Sequence, residues 1–219
     1  MKATNSSPDV TAIIPAFNAA AFLGEAVESV LRQDGFSIEI IVVNDGSSDG
    51  TAAIAEAMPQ VLLINRRNGG SGAARNTGLA AATSPLVAFL DADDLWPDGR
   101  LALMVDALTA DFDAVFGKAE QFGEGRNPTP PQPALLAGTL LIRREACTRI
   151  GPFQEDLKVG EFIDWWARAE DAAVRWTQIP EVVLRRRIHT TNTGIVQAGS
   201  RTDYARVLRA ALERRRGAS

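Results

Sequence analysis

Short apolar runs alternate with stretches of helical period through the first half of this chain, and that alternation limits the folds open to it. Val10–Pro15, Glu39–Asn44 (EIIVVN), Val61–Asn65 and Leu86–Leu90 are β-branched or apolar runs of strand length, too short for helices. Between them, Phe22, Leu23, Ala26, Val27, Val30 and Leu31 recur at helical spacing. Thr51–Met58 is a short Ala-rich helix with Ser48 or Asp49 as its cap, and Ala73–Ala82 is a helix that Ser84-Pro85 ends. Pro97, suited to a first helical turn, opens a helix reaching Ala110, and Ala114–Gly117 follows as a strand. Repeated strand–helix units predict one α/β domain, Rossmann-like, with a mostly parallel central sheet and helices on both faces.

The second half changes character. Gly123–Pro133 holds four prolines and reads as a loop or lid. Thr139–Ile142 and Val182–Ile188 read as strands, and Glu161–Asp171 as a helix carrying Trp165 and Trp166. Tyr204, Val207, Leu208, Ala211 and Leu212 lie at the spacing of an apolar stripe on a final helix.

Composition excludes several classes. The single cysteine, Cys147, rules out an internal disulfide framework, a Cys₄ zinc site and a CxxC redox motif. No apolar run approaches membrane-spanning length, and residues 1–9 lack the apolar core of a signal peptide. A cytoplasmic protein in a reducing compartment is expected, with no nucleic-acid partner. The net charge of −4 is unevenly spread. Residues 185–219 hold nine Arg against Asp203 and Glu213, a balance of +7, which leaves the body at −11. A basic tail suits an anionic membrane surface or partner, or is a solvated helix face.

Each of the four strands ends in polar residues with a chemical use. Pro15-Ala16-Phe17-Asn18 follows the first, and Asn44-Asp45-Gly46-Ser47-Ser48-Asp49-Gly50 the second. Asn68-Gly69-Gly70-Ser71-Gly72-Ala73-Ala74-Arg75 follows the third, and Asp91-Ala92-Asp93-Asp94 the fourth. Ligands of open α/β sheets bind outside the carboxyl ends of the strands. Carboxylates clustered there repel one another unless a cation lies between them. Mg²⁺ or Mn²⁺ suits, because hard cations take oxygen ligands and keep a substrate phosphate as partner. An acidic turn capping the next helix is the alternative. Asp45 can accept from a base imide N–H or cap a turn. Gly70 and its neighbouring glycines allow close backbone approach to an anion. Arg75 offers a fork to phosphate or carboxylate.

The segments VTAIIPAFNAAAFLGEAVESVL, IIVVNDGSSDGT, NGGSGAARNTGL and VAFLDADDLWPDGRL together resemble the family 2 glycosyltransferases of the GT-A fold, in the same order and at similar spacing. The resemblance extends more loosely through Gly138–Glu145. It implies inverting transfer from a nucleotide-diphosphate sugar, UDP-linked by default, to an acceptor hydroxyl on a glycan, lipid, peptide or small molecule. Pro15, Ala16 and Asn18 would line the nucleoside pocket, Asp45 would hold the base, and Arg75 would lie beside the nucleotide. Asp91, Ala92 and Asp93 match the DxD motif, with Asp93 as the direct ligand of Mn²⁺ or Mg²⁺, Asp91 beside it, and His189 as a further ligand. Residues 10–118 would then form the donor half and residues 119–200 the acceptor half of one domain spanning 10–200. Residues 1–9 would be a flexible lead-in, and residues 201–219 a basic amphipathic helix contacting a membrane's inner face or another subunit.

One position departs from the family pattern. The usual Glu-Asp pair lies seven and six residues before an Arg, and counting back from Arg168 gives Glu161 and Phe162. The Asp slot holds Phe. Glu161 and Asp164 are three apart and share a helix face, so either is a candidate base, with Glu124 in the proline-rich loop as a fallback. The missing carboxylate also keeps a non-catalytic donor-binding protein in view. A sugar nucleotidyltransferase fits less well, because Pro15-Ala16-Phe17-Asn18 is neither Gly-rich nor basic.

Overall fold

The computed structural model describes residues 7–123 and 130–189, together with Asp203, Arg206 and Arg209. The first half builds β1 (Val10–Ala16), α1 (Leu23–Leu31), β2 (Ile38–Asn44), α2 (Thr51–Glu56), β3 (Val61–Asn65), α3 (Gly70–Ala81), β4 (Leu86–Phe89) and α4 (Arg100–Ala107). The second builds β5 (Ala114–Phe122), β6 (Gln132–Pro133), a 3₁₀ turn (Ala137–Thr139), β7 (Leu140–Arg143), α5 (Arg144–Ile150), α6 (Glu161–Asp171) and β8 (Trp176–Arg187).

The sheet runs in the order β3-β2-β1-β4-β7-β5-β6, with β8 on β5. The first four strands are mutually parallel, and β7 is antiparallel to both β4 and β5. Period-2 alternation sorts the two cores. Ala12, Ile14, Ile40, Val42, Ala88 and Leu90 face Leu23, Val27 and Val30 of α1 and Leu101 and Met104 of α4. Their neighbours Ile13, Ile41, Val43, Val87 and Phe89 face Ala74 of α3, Ile150 of α5 and Trp165 of α6. Both faces are covered, as expected for such a sheet.

Several boundaries differ from the sequence reading. Neither Ser48 nor Asp49 occupies the N-cap of α2, which is Gly50; Asp49 instead accepts the Thr51 N–H at 3.0 Å from one residue further out. Pro97 does not open α4, which starts at Arg100 behind Gly99, a residue at φ 74° that an L side chain rarely adopts. The helix predicted from Ala73 begins at Gly70, so the glycines form its first turn. Helix α5 carries no strong periodic signal and was not foreseen. Strand β5 is five residues longer than predicted, and β8 pairs with it through a bulge: Gln178 pairs with Phe116 and Val182 with Lys118. Pro180 lies in that bulge, where a missing N–H costs no ladder bond. Part of the stretch read as a loop is strand: Gln132 and Pro133 pair with Ala119 and Lys118 of β5 as β6. Residues 124–129 of that stretch, Glu124 among them, and most of the basic C-terminal stretch lie outside the described residues.

Candidate active site

All four strand-end loops meet at the carboxyl edge of the parallel strands. Pro15 and Ala16 end β1, with Ala16 buried. Asn18 stands at φ 49°, a conformation Asn tolerates better than most residues. Its N–H donates to Ser47 Oγ at 2.9 Å, and its Oδ1 accepts the Ser48 N–H at 2.8 Å. The loops after β1 and β2 are thereby tied together.

Asp45, buried at the end of β2, organises the glycine loop. Its carboxylate accepts N–H bonds from Gly69 and Gly70, the latter at 2.7 Å, and pairs with Arg66 Nη1. Neither Arg66 nor Ser71 was singled out from sequence, because an Arg or Ser in a polar loop has no signature.

Arg75 is buried on α3 and forks between two carboxylates. Nη1 donates to Glu161 Oε1 at 2.6 Å and Nη2 to Asp91 Oδ1 at 2.8 Å. Its Nε has no partner among the described residues. Ser71 Oγ adds a bond to the same Glu161 oxygen at 2.7 Å. Burial raises the Glu161 pKa, but the Arg75 charge and these two bonds outweigh it, so the carboxyl is held below its ordinary value. Glu161 opens α6, where the helix dipole also favours a negative charge. Glu161 Oε2 has no protein partner among the described residues. Asp164, one turn on, is buried and bonded to Arg168 Nε at 3.2 Å. Arg168 also donates to the carbonyls of Ile150 and Pro152, so this pair fastens α6 to the end of α5.

The acidic loop divides by environment. Asp91 is half exposed. Asp93 accepts from or donates to His189 Nε2 across 2.9 Å. Burial and the nearby Asp91 charge push its pKa up, and the His189 contact draws it back only in part. Asp94 is buried and its Oδ1 accepts the Arg187 N–H at 2.8 Å. Burial, then Asp91, then Asp93 push its pKa well above the ordinary value. Asp94 therefore fastens β8 to the acidic loop, aided by the Leu95–Arg185 bridge. His189 is brought there by the same device and stacks on Phe22 with centroids 4.7 Å apart. Ala92 is buried between the two acids.

After burial, the Asp91 charge raises the pKa of Asp93, and the charges of Asp91 and Asp93 raise that of Asp94, a concentration of negative charge that a hard cation relieves. Among the described residues no three His, Cys, Asp or Glu side chains converge as a metal cage. A Mg²⁺-type ion does not need one, since one or two carboxylates and substrate phosphates suffice. The donor set fits such an ion.

Phe162, in the slot where a carboxylate is customary, turns into an aromatic cluster: its ring packs against Phe116, Trp165 and Trp166. Trp165 is buried and its Nε1 donates to the Gly151 carbonyl at 2.8 Å, so it belongs to the core.

Comparison with known proteins agrees with this arrangement. The glycosyl transferase family 2 profile matches residues 11–167. A succinoglycan biosynthesis protein of Rhizobium meliloti is 34% identical over 160 residues, 65% of this chain and 46% of that one. An uncharacterized glycosyltransferase of Rickettsia typhi is 31% identical over 225 residues, 90% of this chain and 70% of that one. The chain spans 46%, 33% and 32% of three of its curated relatives, less than half of each. Among solved structures, Staphylococcus aureus TarS in complex with UDP superposes with a TM-score of 0.75 at 22% identity, over 93% of this chain and 64% of that one. A mannosyltransferase of Pyrobaculum calidifontis in complex with GDP-Man and Mn²⁺ gives 0.71 at 24% identity, over 94% and 65%. At these identities the structural likeness is one of fold, the GT-A arrangement.

Proposed function

The chain belongs to glycosyl transferase family 2, and from that premise we propose that it moves a sugar, with inversion, from a nucleotide-diphosphate donor to an acceptor hydroxyl. The observation that carries this reading is the acidic loop after β4, placed at the carboxyl edge and enclosed by Arg75, Glu161 and His189. Pro15, Ala16 and Asn18 bound the nucleoside side of the cleft, and Gly70 with the first turn of α3 lies beside the phosphates. Asp93, with Asp91 and His189 beside it, would hold Mn²⁺ or Mg²⁺, whose Lewis acidity would aid departure of the diphosphate. Arg75 neutralises Asp91 and holds Glu161 in place. Glu161, through Oε2, takes the proton of the acceptor hydroxyl as the acceptor oxygen bonds to the anomeric carbon and the nucleoside diphosphate leaves.

A uridine diphosphate sugar is the first donor to try, and a guanosine one the second. Solved neighbours are complexed with UDP, UDP-GlcNAc and GDP-Man. A thermal-shift panel of these sugars with and without Mn²⁺ tests the reading. Saturation at a hundredfold excess over Kd stabilises by about 2.7 kcal/mol. No stabilisation by any of them, with metal present, removes the proposal.

Burial of Phe162 among aromatic rings, leaving no carboxylate in that slot, favours one second reading: a donor-binding protein without transfer activity. Donor hydrolysis separates the two. Slow release of free sugar marks a working site, and binding with no turnover marks a binder.

A further inference from the structure

Two side-chain donors of different kinds hold Glu161. Arg75 Nη1 at 2.6 Å and Ser71 Oγ at 2.7 Å both end on Oε1. Arg75 is shared, since its Nη2 serves Asp91 Oδ1 at 2.8 Å. The Ser71 hydroxyl bonds Glu161 alone among the described residues. The terminal torsion of a glutamate is broad and roughly two-fold, so a single donor on one oxygen lets the other oxygen swing about that contact. Ser71 and Arg75 stand one turn apart on α3, at the spacing of neighbours on one helix face. Oε1 is thus gripped from two points along the helix.

The approach of α3 to α6 does not depend on that hydroxyl. Gly72 lies against the Gln154 carbonyl, where an added Cβ would stand 2.8 Å away, and Asn76 exchanges hydrogen bonds with the Phe153 backbone at 2.8 and 3.0 Å. Gly160, at φ 80°, precedes α6, of which Glu161 is the first residue. What Ser71 adds is a bond to a carboxylate whose side chain is 13% exposed. No neighbour can stand in for a misplaced Glu161: Phe162 is turned into the aromatic cluster and Asp164 is bonded to Arg168.

Resting on the proposed function, we propose that Ser71 is the positioning residue of the base: together with Arg75 it fixes Oε1, so that Oε2 is presented to the attacking oxygen. With water as acceptor, the water oxygen bonds to the anomeric carbon and one of its protons passes to Oε2. The bond from that carbon to the diphosphate oxygen breaks, and the nucleoside diphosphate leaves with the electron pair. A misplacement of about 1 Å spoils such an arrangement. Ser71 therefore acts on turnover and not on donor binding.

The test is steady-state release of free sugar from UDP-GlcNAc by the full chain with Mn²⁺, with GDP-Man in its place if only GDP-Man stabilises the chain. Ser71→Ala should lower turnover about tenfold, the scale of one hydrogen bond to a charged group. Donor KM and the thermal midpoint should stay at wild-type values, the pattern of an interaction that counts only in the transition state. Ser71→Thr, which keeps the hydroxyl, should recover most of the turnover. In the Glu161→Gln background, Ser71→Ala should cost nothing more, because two residues that act through one group are not additive. A Ser71→Ala as fast as wild type, a Ser71→Thr as slow as Ser71→Ala, or the same loss repeated in Glu161→Gln overturns the positioning role, and the proposed function survives. Near-wild-type turnover in Glu161→Gln overturns the base assignment and this inference together. A wild type that binds donor and releases no sugar overturns transfer itself, and this inference with it.

Discussion

Glu161 carries opposite demands on one side chain. Pairing with Arg75 keeps it ionised and in place, yet a carboxyl held below its ordinary pKa of 4.5 is a weaker proton acceptor. General-base residues contribute about 10²–10⁴ in rate, so Glu161→Gln should cut transfer by about 10², the lower end, with donor affinity by calorimetry unchanged. Asp164→Asn should cost less rate, because Asp164 is bonded to Arg168 and fastens a helix, and part of the loss should appear in acceptor KM. The pH dependence has a definite sign. A depressed carboxyl stabilises the fold above its unfolded pKa, and that stability is lost as pH falls through the lower folded value. Wild-type stability should therefore decline below pH 4.5 more steeply than that of Glu161→Gln in urea titrations at stepped pH. Arg75→Ala leaves two carboxylates facing one another without their cation. Breaking a buried ion pair from one side costs about 3–5 kcal/mol, and the half-exposed Asp91 puts this case at about 3 kcal/mol in denaturant unfolding. Asp93→Ala should remove Mn²⁺-dependent UDP binding without unfolding the chain. Undiminished metal-dependent affinity in that variant would eliminate Asp93 as a ligand.

Helix α3 carries Gly70 and Arg75, the residues proposed to lie beside the donor, and its position depends on how close it comes to β1. A Cβ at Gly78 would lie 2.4 Å from Ile13 Cγ2, and one at Gly72 would lie 2.8 Å from the Gln154 carbonyl. The helix is thus pressed onto the sheet on one side and onto the segment before α6 on the other. Asn76 reinforces the second contact, accepting the Phe153 N–H at 2.8 Å and donating to the Phe153 carbonyl at 3.0 Å. Gly78→Ala would gain helix propensity but overpack the core. Overpacking costs about 1–3 kcal/mol, against about 1 kcal/mol gained from replacing a helical Gly. A net loss in thermal midpoint is expected, together with weaker nucleotide binding, since Arg75 moves with the helix. A midpoint equal to wild type would mean that Ile13 repacks without cost.

At the scale of the whole molecule, the described residues of the C-terminal stretch meet the segment before α6. Asp203 Oδ2 accepts the Lys158 N–H at 3.1 Å, and Arg206 pairs with Asp156 at 2.8 Å, beside the loop that leads into Glu161. The Arg206–Asp156 pair is well exposed, and such pairs contribute about 0–1 kcal/mol. We propose that residues 201–219 serve contact with an anionic membrane surface or a second copy of the chain, and not catalysis. No described helix is long and apolar enough to cross a membrane. Removing residues 201–219 should leave Mn²⁺-dependent UDP binding intact and change either sedimentation on anionic vesicles or the oligomeric mass. If neither changes while stability falls, the apolar stripe packs on the chain's own domain.

The alternation of strand and helix, the four strand-end loops and the extent of α6 were legible from residue order, because periodicity and turn chemistry are local properties. Val61–Asn65 and Glu161–Asp171 fall where the pattern puts them, and β1 runs one residue past the predicted Val10–Pro15. Helix α5 and the bulge of β8 were not legible, because both are set by the partners they pack on. The same division runs through the candidate site. Sequence placed Asp45, Arg75, Asp91, Asp93 and Glu161 at strand ends and helix starts. Only the tertiary structure decided that Arg75 bridges two carboxylates, that Asp94 is buried against the Arg187 backbone, and that Asp45 is bonded to Arg66 and two backbone N–H groups. Those partners come from residues 16 to 93 positions away, and a one-dimensional pattern holds no record of such distances. Chain order fixed which chemistry reaches the sheet edge; packing across that edge decided which partner each of those groups holds.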